Sequence, residues 1–190
     1  MKVGILAIQG DYDAHAKMLE RIGAQPVLVR KRDDLAGVRA IILPGGESTT
    51  HLKVLTEEGL LDELKKFAQN GGAVFGTCAG AILLANRVHN PEQASLGLLD
   101  IDILRNGYGR QLSSDVHEGK TKLREEPLEM VFIRAPIIQA MGAGVKSLAD
   151  DAGHPVLVRQ GKILASTFHP ELTNDTFIHE YFLKIVHGNS

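Results

Sequence analysis

Short apolar runs recur along this chain, each followed by a helical pattern and a glycine stop. Val3 to Ile8 is the first run, as expected of a strand covered on both faces. Asp11 to Ile22 follows with Ala14, Met18, Leu19 and Ile22 on one helical face and Gly23 beyond it. Pro26–Arg30 and Arg39–Leu43 read as the second and third strands, the latter ending at Pro44-Gly45-Gly46. A helical stretch runs from about Leu52 to Asn70, broken near Gly59. Ala73-Val74-Phe75 then leads into a tight turn and a further helix, Ala81–Ala85. Strand–helix alternation of this kind predicts an α/β fold built on an open, mostly parallel sheet with helices on both faces, three layers in all. Beyond Leu98 the pattern changes to shorter strands at Leu99–Leu104, Met130–Ile133, Val156–Arg159 and Ile163–Thr167. Ser113 to Leu128 is polar and charged and reads as a loop or mobile hairpin, and Asn174–Val186 as a closing amphipathic helix.

Composition narrows the function classes. The 190 residues suit one domain spanning 1–190, with 44% apolar and 23% charged residues. A net charge of −2 makes nucleic acid an unsuitable partner. No apolar run approaches the roughly 20 residues of a membrane span, and Met1–Leu6 reads as a strand rather than a signal peptide. One cysteine precludes an internal disulfide and fits a reducing cytoplasm.

That cysteine, Cys78, sits in Gly76-Thr77-Cys78-Ala79-Gly80, between strand and helix. The pattern is the Gly-x-nucleophile-x-Gly turn with sulfur for oxygen. Flanking glycines let neighbouring backbone pass close to a sharp turn, and the start of a helix favours a thiolate. A lone cysteine is more often a small buried hydrophobe, so the pentapeptide alone decides nothing. Phe168-His169-Pro170-Glu171 near the C-terminus supplies the missing partners, a histidine and a carboxylate, for acyl transfer through a thiol. His169 and Glu171 lie two apart after a strand-like run, so in extended chain both side chains point the same way. Glu171 can then fix the imidazole tautomer; an exposed His–Glu pair on the surface is the plainer alternative. Acyl transfer also needs oxyanion donors, for which the Ala79 N–H and the Gly46 N–H are the candidates. The Pro44–Thr49 turn lacks the lysine and glycine pattern of a phosphate loop, and Ser48 or Thr49 could cap a following helix. The other seven histidines show no metal-ligand spacing, and none is given a role.

Taken together, six motifs spread over nearly the whole chain resemble the class I, triad-type glutamine amidotransferases. They are Gly4–Gly10, Pro44–Thr49, Gly76–Gly80, Arg105–Gln111, Phe132–Pro136 and Phe168–Leu172. Within that class they resemble the glutaminase subunits of pyridoxal 5′-phosphate synthase. The resemblance implies a flavodoxin-like sheet and a triad of Cys78, His169 and Glu171. It implies L-glutamine binding by Gly46, Glu47, Ser48, Arg105, Ile133 and Arg134, with no cofactor and no metal. It also implies a partner synthase subunit, a (β/α)₈ barrel that takes the ammonia; Gln9 and Gly10, beyond the first strand and near the expected site edge, are placed to sense its docking. After Arg110-Gln111 this chain reads Leu112-Ser113-Ser114-Asp115, where the family pattern runs toward Asp-Ser-Phe. A glutaminase of another synthase, such as that for imidazole glycerol phosphate, and a redox module with an exposed cysteine are the alternatives.

Overall fold

In the computed structural model, residues 1–107 and 114–188 are described. In chain order the elements are β1 (Lys2–Leu6), α1 (Tyr12–Arg21), β2 (Gln25–Val29), β3 (Ala40–Leu43), α2 (Ser48–Glu57), α3 (Leu60–Gln69), β4 (Ala73–Thr77) and α4 (Ala79–Leu84). There follow β5 (Ala85–His89), β6 (Leu99–Leu104), β7 (Ser114–Gly119), β8 (Leu128–Ile133), β9 (Ile137–Met141), β10 (Lys146–Asp151), β11 (His154–Gln160), β12 (Ile163–Ser166) and α5 (Phe177–His187). Short 3₁₀ turns occupy Arg32–Leu35 and Pro170–Leu172.

Seven strands form the central sheet in the order β10-β11-β12-β4-β3-β1-β2. From β12 to β2 every pairing is parallel, while β10 and β11 close one edge antiparallel. This is the mostly parallel α/β sheet expected from the sequence. The period-2 alternation of each strand sorts its residues between two cores. Val3, Ile5, Ala40, Ile42, Ala73, Phe75 and Leu164 face one side, where Leu19 of α1, Phe132 of β8 and Ile178, Phe182 and Ile185 of α5 cover them. Leu6, Ile41, Leu43, Val74, Ile163 and Ala165 face the other, against Leu55 of α2, Leu60 and Leu64 of α3, α4, and the small sheet β5-β6-β9. Burial on both faces is why these strands read as unbroken apolar runs.

The structure departs from the sequence reading in several elements. The helix expected from Leu52 begins at Ser48, with Glu47 rather than Ser48 or Thr49 at its N-cap and no side-chain cap bond. Ala85 leaves the preceding helix and opens β5. The polar stretch read as a loop or mobile hairpin is a hairpin in its pairing: β7 pairs antiparallel with β8 along its length. The residues of β7 are mostly exposed, so the strand is held by its ladder and carries no apolar alternation to announce it. The Tyr108–Gln111 half of the arginine-rich motif, and Leu112-Ser113 of the departure beyond it, lie outside the described residues.

One close approach fixes the centre of the fold. A Cβ on Gly80 would stand 1.9 Å from the Leu43 carbonyl oxygen, so α4 lies directly against the end of β3. Gly80→Ala must push these elements apart and is expected to lower stability by about 2–3 kcal/mol, measured as a drop in the urea midpoint. An unchanged midpoint would show that the contact is not rigid.

Candidate active site

The carboxyl ends of the parallel strands carry the groups of interest, as open α/β sheets dictate. Gln9 and Gly10 follow β1, Pro44–Ser48 follow β3, Cys78 follows β4, and His169–Glu171 follow β12.

Cys78 adopts φ 49° and ψ −102° at the N-cap of α4. A positive φ in a residue with a Cβ costs roughly 1–3 kcal/mol and persists only where the surroundings over-determine it. Here the surroundings are two glycines. A Cβ on Gly76 would lie 2.6 Å from the Gly80 carbonyl, so the turn closes this tightly only without side chains there. The residue is 7% exposed, and its Sγ donates weakly to the Ile133 carbonyl at 3.8 Å. Ala79 opens α4, where the first-turn N–H groups have no partner within the helix.

His169 and Glu171 meet by a different route from the extended chain expected. β12 ends at Ser166, and Pro170–Leu172 forms a 3₁₀ turn that folds the carboxylate back onto the ring. His169 Nδ1 bonds Glu171 Oε1 at 2.8 Å, and the two residues are 3% and 4% exposed. Burial opposes the imidazolium, but the adjoining Cys78 and Glu171 side chains outweigh it and raise His169 to about 10. Burial likewise opposes the Glu171 carboxylate, yet His15 and His169 hold it well below the usual carboxylate range. Gly45 packs against the imidazole so closely that a Cβ would lie 2.3 Å from its Cε1.

A cleft of about 70 Å³ opens at this edge, lined by Gly46, Glu47, Ser48, Cys78, Ala79, Ile82, Arg105, Asn106, Ile133 and Arg134. All of the sequence-nominated binding residues therefore border the thiol. Arg134 Nη2 donates to Glu47 Oε1 at 3.1 Å across the mouth, and the Ser48 hydroxyl donates to Gln93 Oε1 at 2.9 Å. Gln9 does not line the cleft but braces it. Its Oε1 accepts from the Glu47 N–H at 2.9 Å, and its carbonyl bonds His51 Nε2 at 2.8 Å. Gly10, at φ +96°, lies against the Gly45 carbonyl. The face between β1 and the Gly45–Gly46 turn is thus one unit.

Sequence reasoning missed Ile82, Asn106 and Gln93 around the cleft, and also Asp11, whose Oδ2 is 3.7 Å from His169 Nδ1. It gave no role to His15, His51 and His179, which the fold buries beside the site. A signal for His15 and His179 existed. His15 precedes Met18 and Leu19 by three and four, and His179 precedes Phe182 by three, on the apolar faces of their helices.

A strained thiol beside a carboxylate-held imidazole suits amide hydrolysis through sulfur, and this is the class of chemistry that fold and cleft together define. The family model described as the SNO glutamine amidotransferase family matches residues 5–187, and the chain belongs to that family. The chain is 54% identical to a pyridoxal 5′-phosphate synthase subunit PdxT of Koribacter versatilis (strain Ellin345), over 100% of this chain and 98% of the relative. It is 48% identical to the subunit of the same name from Kosmotoga olearia (strain ATCC BAA-1733 / DSM 21960 / TBF 19.5.1), over 99% of each. A crystal structure of a glutamine amidotransferase superposes with a TM-score of 0.92 at 47% identity, covering 97% of this chain and 98% of that one.

The depressed Glu171 carboxyl has a consequence for stability. A group whose folded pKa lies below its unfolded value of 4.5 stabilises the fold above that pH and loses the contribution as pH falls. The wild type should therefore lose stability relative to Glu171→Gln between about pH 5 and about pH 3, by up to about 1.4 kcal/mol per pH unit below 4.5. Urea midpoints that fall in parallel for the two proteins would contradict the buried, ionised carboxylate.

Proposed function

We propose that this chain, acting as one domain over residues 1–190, hydrolyses L-glutamine to L-glutamate and ammonia. It would then pass the ammonia to a (β/α)₈ synthase subunit for pyridoxal 5′-phosphate formation. The observation that carries this reading is the single cleft bordered by Cys78 and by the charged pair Glu47 and Arg134, with His169 beside the thiol. With its proton held by His169, Cys78 Sγ attacks the side-chain amide carbon, and the oxyanion forms toward the Ala79 and Gly46 N–H groups. The C–N bond breaks as His169 gives its proton to the departing ammonia, leaving a γ-glutamyl thioester on sulfur. Water, deprotonated by the now neutral His169, then adds to the thioester; the C–S bond breaks, glutamate leaves, and Cys78 Sγ is returned beside the reprotonated His169. Arg134 and Arg105 suit the α-carboxylate of a free amino acid, and Glu47 its ammonium, so substrate would replace the Arg134–Glu47 bond with its own.

The relatives described above are pyridoxal 5′-phosphate synthase subunits, and this supports the product side of the reading. Ammonia at neutral pH in bulk water is mostly protonated, so a shielded transfer to the partner follows chemically. No helix among the described residues is long and apolar enough to cross a membrane, and a single cysteine fits a cytoplasmic site of action. Gln9 and Gly10 join the first-strand loop to the Gly45–Gly46 turn, and this loop is the natural route by which docking would complete the oxyanion hole.

Glutamine hydrolysis with the synthase present tests the assignment. Cys78→Ala should leave no more than a trace of activity with the fold intact, and His169→Asn should be nearly as impaired. Glu171→Gln should retain more, because an orienting group contributes less than the base it orients. Substantial activity in Cys78→Ala would overturn the reading. Steady-state assays with and without synthase test the coupling: a higher kcat/KM is expected in the complex, and equal values would remove the docking switch.

A further inference from the structure

Behind Glu171, on the side away from His169, lies a second pair of histidines in the buried interior. His15 of α1 and His179 of α5 are both fully buried. His15 Nε2 lies 3.4 Å from Glu171 Oε1 and 3.2 Å from Thr77 Oγ1, in the residue that precedes Cys78. His15 Nδ1 lies 2.9 Å from His179 Nε2. The second oxygen of Glu171, Oε2, is buried without a hydrogen-bond partner, and so is His179 Nδ1. Glu171 thus receives protein hydrogen bonds through one oxygen, and that oxygen faces an imidazole on either side.

We propose that His15, oriented by His179, is a positioning residue for the catalytic triad: its Nε2–H holds the Glu171 carboxylate ionised and aimed at His169. The inference rests on the glutaminase reading given above and extends it to residues outside the cleft. A buried carboxylate needs donors, because an unpaired charge in an apolar interior is costly. A protonated Nε2 turns its N–H toward both the carboxylate oxygen at 3.4 Å and the Thr77 hydroxyl oxygen at 3.2 Å, whereas a bare nitrogen would face the carboxylate as a second acceptor. That proton is present whether His15 carries one proton or two. Burial and the neighbouring His15 hold His179 neutral, lowered to about 3, so it has a single proton to place. Where His15 is neutral, that proton on His179 Nε2 donates to His15 Nδ1 and fixes the Nε2–H tautomer; where His15 carries two protons, His179 Nε2 accepts from His15 Nδ1–H and the Nε2–H is present in any case. His179 then orients His15 much as Glu171 orients His169.

The groups facing this carboxylate come from several elements. His169 approaches from the loop after β12 and His15 from α1, while Thr77, at the end of β4, contacts His15 Nε2. Asp11, before α1, and Cys78, before α4, act on the imidazole of His169. His179 stands behind His15 on α5.

Three variants in complex with the synthase test the proposal, read by the pH profile of glutamine hydrolysis and by the pH profile of Cys78 alkylation with iodoacetamide. His15→Phe removes the donor and keeps the ring's bulk. His15→Asn ends near the place of Nδ1 and cannot reach Glu171. His15→Gln carries an amide N–H to about the place of Nε2. Phe and Asn variants should lose about tenfold or more in kcat with little change in KM, on the scale seen when an outer partner of an active-site ligand is removed. Their acid limbs should move up by about one pH unit, since Glu171 would protonate more readily. His15→Gln should recover most of both. If His15→Phe does not fold, the Asn–Gln contrast carries the same comparison. The same acid limb in wild type, Asn and Gln proteins would overturn the proposal. An inactive wild-type complex would instead overturn the glutaminase reading, and the alkylation profiles would still report on His15.

Discussion

The Glu171 carboxylate is the constraint around which the rest of the site is arranged. It is 4% exposed, and a charge so placed is tolerable only with fixed hydrogen-bond donors. Those donors come from far apart in the sequence: His169 from the turn after β12, and His15 from α1. For both to reach one oxygen, α1 and α5 must pack on the same face of the sheet, beside β4, and they do so through Leu19, Phe75, Phe182 and Ile185. The apolar core thus places the polar contacts, and the polar contacts fix the protonation of the imidazole.

On the opposite side of that imidazole stands a backbone that cannot relax. Cys78 holds its positive φ because α4 is pressed onto β3 and because Gly76 and Gly80 admit that approach. Gly45 lies against the His169 ring and Gly10 against Gly45, so the loops after β1, β3 and β12 form one contiguous surface. On the proposed reading this contiguity matters for control. A partner that touches the loop after β1 can act on the Glu47 N–H through the Gln9 side chain. The Arg134–Glu47 bond, with 74% of the arginine side chain exposed, is weak enough for an incoming amino acid to replace.

Much of this was legible in the sequence, and the exceptions have physical causes. Four of the five parallel strands, β1, β3, β4 and β12, stood out because both of their faces are buried, and the half-buried edge strand β2 by its short apolar run Pro26–Val29. β7, β5 and β10 did not, because their exposed residues carry no apolar alternation and their positions depend on pairing with distant chain. The residues of the Cys78 turn and the His169–Glu171 pair were legible because turn and spacing chemistry are local. Yet the geometry that joins the pair is a 3₁₀ turn, not extended chain, since Pro170 begins that turn. His15 and His179 were given no role because their partner is a residue that only tertiary packing brings near. Their places on apolar helix faces were the available signal. The residues after Arg105-Asn106-Gly107 in the motif, up to Gln111, lie outside the described residues, so the sequence expectation for them stands alone.

The central claim is that the adjoining Cys78 and Glu171 side chains, against the opposing effect of burial, keep the His169 imidazole charged well above neutral pH. An NMR titration of the wild-type chain, with labelled histidine and His169 assigned through His169→Asn, reads this directly. The account predicts that the His169 ring remains an imidazolium through neutral pH and loses its proton only toward about 10. A ring that titrates near the ordinary 6.5 would contradict it, and with it the view that the buried carboxylate governs the site.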